Sequence, residues 1–109
     1  MPVQQSREIA THLKNTHPDR VPVILHKAVN CNDIISTIKS KYLVPKNYSL
    51  GQFIFVIRKR LRLASDKALF VFVDNVLPPT GALFEYIYAE YADNDGFLYM
   101  TYSGENAFG

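Results

Sequence analysis

Residues 49–63 read SLGQFIFVIRKRLRL. Leu50, Phe53, Ile54, Ile57 and Leu61 recur at i, i+3, i+4 and i+7, the spacing of one helix face. Ser49 and Gln52 form a capping box. The hydroxyl accepts from the third helical amide while the Gln side chain reaches back to the cap. Arg58, Lys59, Arg60 and Arg62 crowd the last turn, where cations favour the helix dipole. The stretch therefore predicts an amphipathic helix that needs a sheet to bury its apolar face.

Strands are predicted on both sides of it. Upstream, RVPVILHKAV (20–29) alternates Val21, Val23 and Leu25 with Pro22, Ile24 and His26, and Pro22 suggests an edge position or a strand start. KYLVP (41–45) is a short strand closed by proline, joined to the first by an irregular link, NCNDIISTIKS. Downstream, KALFVFV (67–73) is apolar throughout, as a central strand would be. Phe97 to Tyr102 is the last strand. Asp74-Asn75 and Asp95-Gly96 mark turns. Ser6 is placed to cap a first helix, carrying Ile9, Ala10 and Leu13, that Pro18 should end. Thr80 is placed to cap another, carrying Leu83, Phe84, Ile87, Tyr88 and Tyr91. The order is helix, two strands, helix, strand, helix, strand, then a small polar tail, SGENAFG. This predicts an α+β, ubiquitin-like β-grasp with a four-stranded mixed sheet and an added N-terminal helix.

Composition narrows the function class. The 109 residues suit one domain, and 48% hydrophobic content is too high for a disordered chain. No apolar run reaches bilayer-spanning length, and MPVQQSREIA lacks the pattern of a signal peptide. Cys31 is the only cysteine, so no internal disulfide can form; a cytoplasmic protein is expected. His12, His17 and His26 lack ligand spacing, Asp93 and Asp95 offer too few oxygens for calcium, and no glycine-rich phosphate cradle is present. No catalytic residue, metal or cofactor is expected. The basic run at 58–62 reads as the solvated end of its helix rather than a nucleic-acid patch.

RVPVILHKA, KYLVP, GQFIFVIRKRL, KALFVFV, LPPT and DGFLYMTYSGENAFG, in that order, resemble the autophagy ubiquitin-like modifiers of the GABARAP and light chain 3 type. The resemblance covers nearly all of the chain after Asp19. It implies an N-terminal extension over 1–19, a ubiquitin-like core over 20–102 and a flexible conjugation tail over 103–109. It further implies that Gly109 becomes joined to phosphatidylethanolamine on autophagosomal membranes. Activating and conjugating enzymes and a processing or deconjugating cysteine protease would be partners, as would cargo receptors; nucleic acid would not.

In the family, peptides with an aromatic residue, two variable residues and an aliphatic residue dock on an edge strand. By resemblance the aromatic pocket maps to Leu13, Pro22, Ile24, Lys41, Leu43 and Phe97. The aliphatic pocket maps to Tyr42, Val44, Pro45, Tyr48, Phe53 and Val56. Leu43, Phe53 and Val56 could equally be buried core. Arg20, Lys39, Lys41 and Arg60 would attract acidic residues flanking the peptide. Phe70 and Phe72 alternate with Leu69, Val71 and Val73, and would form a second interaction face unless the N-terminal helix covers them. The chain departs from the family pattern in five places, one of them the link around Asn30 to Asp33, which is one residue longer. Only five residues precede Ser6, where a further helix is usual. Ile9 stands for an acidic residue and Ser40 for a basic one. Tyr48 replaces an aliphatic residue and should narrow the second pocket. The alternative reading is an unconjugated ubiquitin-like adaptor that only docks peptides.

Overall fold

A computed structural model of the chain describes residues 3–28, 38 and 40–104. Expectations for the link at 29–37, Cys31, Lys39 and Gly109 lie outside these residues. The elements run α1 (Val3–Thr16), β1 (Arg20–Lys27), β2 (Lys41–Pro45), α2 (Leu50–Leu61), β3 (Phe70–Phe72), α3 (Phe84–Tyr91) and β4 (Leu98–Ser103). The four strands form one sheet in the order β2-β1-β4-β3. β1 and β4 are parallel, and β2 and β3 lie antiparallel at the two edges. The sheet is therefore mixed, as expected.

Helix α2 crosses one face of the sheet. Its Leu50, Phe53, Ile57 and Leu61 are buried with Val21, Val23, Val44, Val71, Leu98 and Met100 in the main core. The capping box forms: Ser49 Oγ accepts from Gln52 N–H at 3.2 Å, and Gln52 Oε1 accepts from Ser49 N–H at 2.8 Å. The helix stops at Arg62, which takes a left-handed backbone with φ 56° and ψ 41°. Arg58 then ties down the chain that follows, donating to the carbonyls of Lys67 at 2.6 Å and Ala64 at 2.9 Å.

Helix α1 covers the opposite face, where Ala10, Ile24 and Phe97 form a second, smaller cluster with Ile9 and Leu13 packed against it. Gly96, at φ 91°, lets α1 approach; a Cβ there would lie 2.9 Å from that of Ala10. Arg7 Nε donates to Asn94 O at 3.2 Å, and Lys14 Nζ sits 4.9 Å from the centre of the Tyr88 ring. The Asp74-Asn75 turn is a two-residue hairpin loop. Both residues have positive φ, and Val73 and Val76 exchange backbone hydrogen bonds of 2.9 Å across it.

Six local expectations need correction. Ser6 does not cap α1: the helix begins at Val3, and Ser6 lies inside it, buried. Thr80 does not cap α3. That helix starts at Phe84, and its first donors, Phe84 N–H and Glu85 N–H, reach the carbonyls of Tyr48 and Lys46, both at 2.9 Å. A packed loop replaces the side-chain cap, and Leu83, placed on the buried stripe, is exposed. β3 is an edge strand, not a central one. β1, by contrast, is central. Its antiparallel bonds alternate: Lys46 N–H to Asp19 O at 3.0 Å and Leu25 N–H to Ser40 O at 2.7 Å fix the phase. The ring nitrogen of Pro22 therefore faces the β4 side, where the parallel pairing starts only at Val23↔Leu98, so no ladder bond is lost. Finally, Ser103, expected to open the tail, is the buried last residue of β4.

Candidate functional site

Among the described residues β2 has no strand on its outer side, and this edge is the centre of the candidate site. The register pairs Arg20 with Pro45, Pro22 with Leu43 and Ile24 with Lys41. The bonding phase fixed at Leu25 and Lys46 gives the ladder bonds to Val44 and Tyr42, so Lys41 and Leu43 turn their N–H and C=O groups away from β1. Such groups can pair with an added strand. Side chains alternate across β2. Lys41, Leu43 and Pro45 share the face of α1, and Tyr42 and Val44 share that of α2.

On the α1 side a cavity of about 260 Å³ opens beside the edge, lined by Ser6, Ile24, His26, Ser40, Lys41 and Tyr99. Ile24 and Lys41 were expected there. Leu13 and Phe97 pack with Ile24 beneath it, Phe97 fully buried and edge-on to Tyr99 at 6.3 Å. Pro22 is fully buried, whereas Leu43 is half-buried. Ser6, Ser40, His26 and Tyr99 were missed as lining residues. Period two would have found the last two, since His26 follows Ile24 by two residues and Tyr99 follows Phe97 by two. The register sets Tyr99 directly beside Ile24.

The polar wall of this cavity is anchored by Asp95. Its carboxylate is buried, accepting from Phe97 N–H at 2.9 Å and from the Tyr99 hydroxyl. Burial, and then the hydrogen bond to Asp95, push the Tyr99 hydroxyl up to about 12. Tyr99 is thus a neutral donor at any physiological pH.

On the α2 side a cavity of about 510 Å³ runs along the helix, lined by Tyr48, Ser49, Gly51, Gln52, Phe55 and Val56. Only Tyr48 and Val56 of the expected aliphatic set line it. Val44 and Phe53 are buried in the core below. Tyr42 is half-buried and meets Phe53 edge-on at 5.6 Å; burial raises its hydroxyl against the opposing charge of Arg60. Pro45 is half-buried at the end of the edge. Phe55, 51% exposed, was missed. An aromatic residue off the buried stripe of an amphipathic helix was the available signal.

The charged residues divide. Arg60 is exposed, its guanidinium 5.7 Å from the centre of the Tyr42 ring. Arg20 is exposed but reaches across the sheet, Nη1 donating to Leu43 O at 3.2 Å. At the far edge, Phe72 is 4% exposed. The half-buried Phe70 instead borders a cavity of about 360 Å³ between α2 and the loop containing Leu77 to Thr80.

Among the described residues no group of His, Cys, Asp and Glu could hold a metal ion, and no helix is long and apolar enough to cross a membrane.

A family model described as autophagy protein Atg8, ubiquitin-like, matches residues 4–109. Autophagy-related protein 8a of Arabidopsis thaliana is 51% identical over 99% of this chain and 88% of its own length. Autophagy-related protein 8 of Coccidioides immitis (strain RS) is 52% identical, covering 99% and 92%. The crystal structure of Trypanosoma brucei ATG8 superposes with a TM-score of 0.90 at 41% identity, covering 100% of this chain and 93% of that one. Plasmodium falciparum Atg8, solved with a peptide of Plasmodium falciparum Atg3, superposes with a TM-score of 0.89 at 29% identity, covering 99% and 94%. The chain belongs to the Atg8 family of autophagy proteins, which are ubiquitin-like modifiers rather than enzymes.

Proposed function

We propose that this chain is an autophagy modifier joined through Gly109 to phosphatidylethanolamine, and that it recruits cargo receptors by adding their aromatic-x-x-aliphatic peptides to the β2 edge. The observation that supports the docking reading is an edge whose Lys41 and Leu43 backbone groups face outward, with one cavity beside Lys41 on the α1 side and a second along α2 beyond the end of the strand. Main-chain pairing would supply affinity, and the cavities would select alternate side chains. Lys41, Arg20, Lys39 and Arg60 would draw acidic flanking residues to it. The Plasmodium falciparum neighbour, solved with an Atg3 peptide, supports peptide docking by components of a conjugation system.

The chemistry at Gly109 runs from adenylate to thioester to amide, with the thioester passed from the activating to the conjugating enzyme's cysteine. The carboxylate attacks ATP and is adenylated, releasing pyrophosphate. An enzyme cysteine thiolate then displaces AMP to give a thioester. The lipid amine displaces the thiol, leaving an amide. Glycine suits each step because no Cβ crowds the carbonyl. The nucleophilic cysteines belong to the activating and conjugating enzymes, and a further cysteine protease would process or reverse the bond. Two acyl chains on one lipid provide the paired anchor that stable membrane association requires. The protein would thereby move from cytoplasm to autophagosomal membrane.

Incubation with the family's activating and conjugating enzymes, ATP and phosphatidylethanolamine liposomes should give a faster-migrating band that deletion of Gly109 abolishes. No band with active enzymes would favour the unconjugated adaptor. Leu43→Ala and Lys41→Glu should each weaken binding of an aromatic-x-x-aliphatic peptide by about tenfold. Unchanged binding would place the docking site elsewhere.

A further inference from the structure

Arg20 does more than present charge beside the edge. Its side chain shares the α1 face of the sheet with Pro22, Leu43 and Pro45, and its guanidinium Nη1 donates to the Leu43 carbonyl at 3.2 Å. That carbonyl is one of the outward acceptors an added strand must use, as the bonding phase at Leu25 and Lys46 requires. Pro45, two residues on, has no N–H to offer. The free edge is therefore held at its middle residue by the protein's own arginine.

We propose that Arg20 is a displaceable cap on the edge strand. A docking peptide would have to break the Arg20–Leu43 bond before its own N–H could reach that carbonyl. A peptide that brings a carboxylate near the displaced guanidinium offers it a stronger, charge-assisted partner. A neutral peptide offers nothing and bears the whole loss. The cap would thus turn one arginine into a filter: it selects acidic peptides by repelling neutral ones as well as by attracting acidic ones, the pairing of positive and negative selection that specificity needs. The proposal rests on the docking reading above and adds a competitor within the same site.

The test compares Arg20→Ala with the unaltered protein against two synthetic peptides sharing one aromatic-x-x-aliphatic core, one with an acidic flank and one with a neutral flank. Loss of an exposed hydrogen bond sets the scale. The variant should bind the neutral peptide about two- to five-fold more tightly and the acidic peptide less tightly. Weaker or unchanged neutral binding would overturn the cap. A second measurement separates the cap from the docking reading. In the peptide-free protein the Leu43 carbonyl carbon resonance should move upfield in Arg20→Ala, and an unmoved resonance overturns the cap even where peptides still bind. If the unaltered protein binds neither peptide, the docking reading fails and the cap fails with it.

Discussion

Helices of similar length cover the two faces of the sheet, yet the faces are built differently. Under the 12-residue α2, the apolar residues of β1, β2, β3 and β4 interlock with Leu50, Phe53, Ile57 and Leu61. Under the 14-residue α1 the buried apolar cluster shrinks to Ala10, Ile24 and Phe97, and a cavity with a polar wall opens beside them. The first face has little room to change without loss of stability. The second is held by a few specific attachments to the turn before β4, so it can keep an open pocket. The α2 face therefore carries most of the buried apolar core and the α1 face a smaller share of it.

The comparison breaks first at Ile57, which has no exposed surface. Ile57→Ala should cost about 2–5 kcal/mol in denaturant unfolding; a cost below 1 kcal/mol would mean that the α2 face does not carry the fold. Gly96→Ala acts on the other face. A Cβ there collides with Ala10 at 2.9 Å and must adopt φ 91°. We expect a loss of about 1–3 kcal/mol, with the α1 amides exchanging faster than those of α2. Uniform acceleration across the chain would show that the two faces unfold together. Ser49→Ala removes half of the capping box and should cost about 1 kcal/mol while leaving α1 protection unchanged.

The smallest effect is confined to alkaline pH. The Tyr99 hydroxyl is raised to about 12 in the fold, against about 10 in an unfolded chain. Folding therefore favours the neutral phenol. Its contribution is complete below pH 10 and is lost as pH rises through 12. The thermal midpoint of the unaltered protein should fall more steeply over that window than that of Tyr99→Phe. Parallel curves would remove Tyr99 from the anchoring of the α1 face.

How much of this was legible in the sequence follows the same division. Helix α2 was readable because its stripe, cap and basic end all agree. The short strand β2 was readable from KYLVP and the proline that closes it. KALFVFV was misread as central because hydropathy reports whether a strand's faces are covered, not how many neighbours it has. Val71 of β3 and the flanking Leu69 and Val73 are buried in the core under α2, while β3 has a single strand partner among the described residues. Ser6 was misread because a serine near a helix start is a cap by local chemistry, and only the sheet across from it explains why it lies buried beside Tyr99. The pockets were half legible. Residue types near the edge could be named, but whether Val44 and Phe53 line a groove or lie under it depends on the depth at which α2 settles.

Pro22 and Pro45 look like two breaks in neighbouring strands, but they limit different things. The imide of Pro22 points where no ladder bond is due, so the central strand loses nothing. Pro45 closes the outer edge, leaving Lys41 and Leu43 as the described residues with both a donor and an acceptor turned outward. An edge with so few rungs can accept a short guest but gives a second copy of the same sheet little to grip. Edge-to-edge stacking into longer assemblies is thereby discouraged. Under the proposed attachment to a membrane, such a stop would keep crowded copies from pairing edge to edge and seeding aggregation.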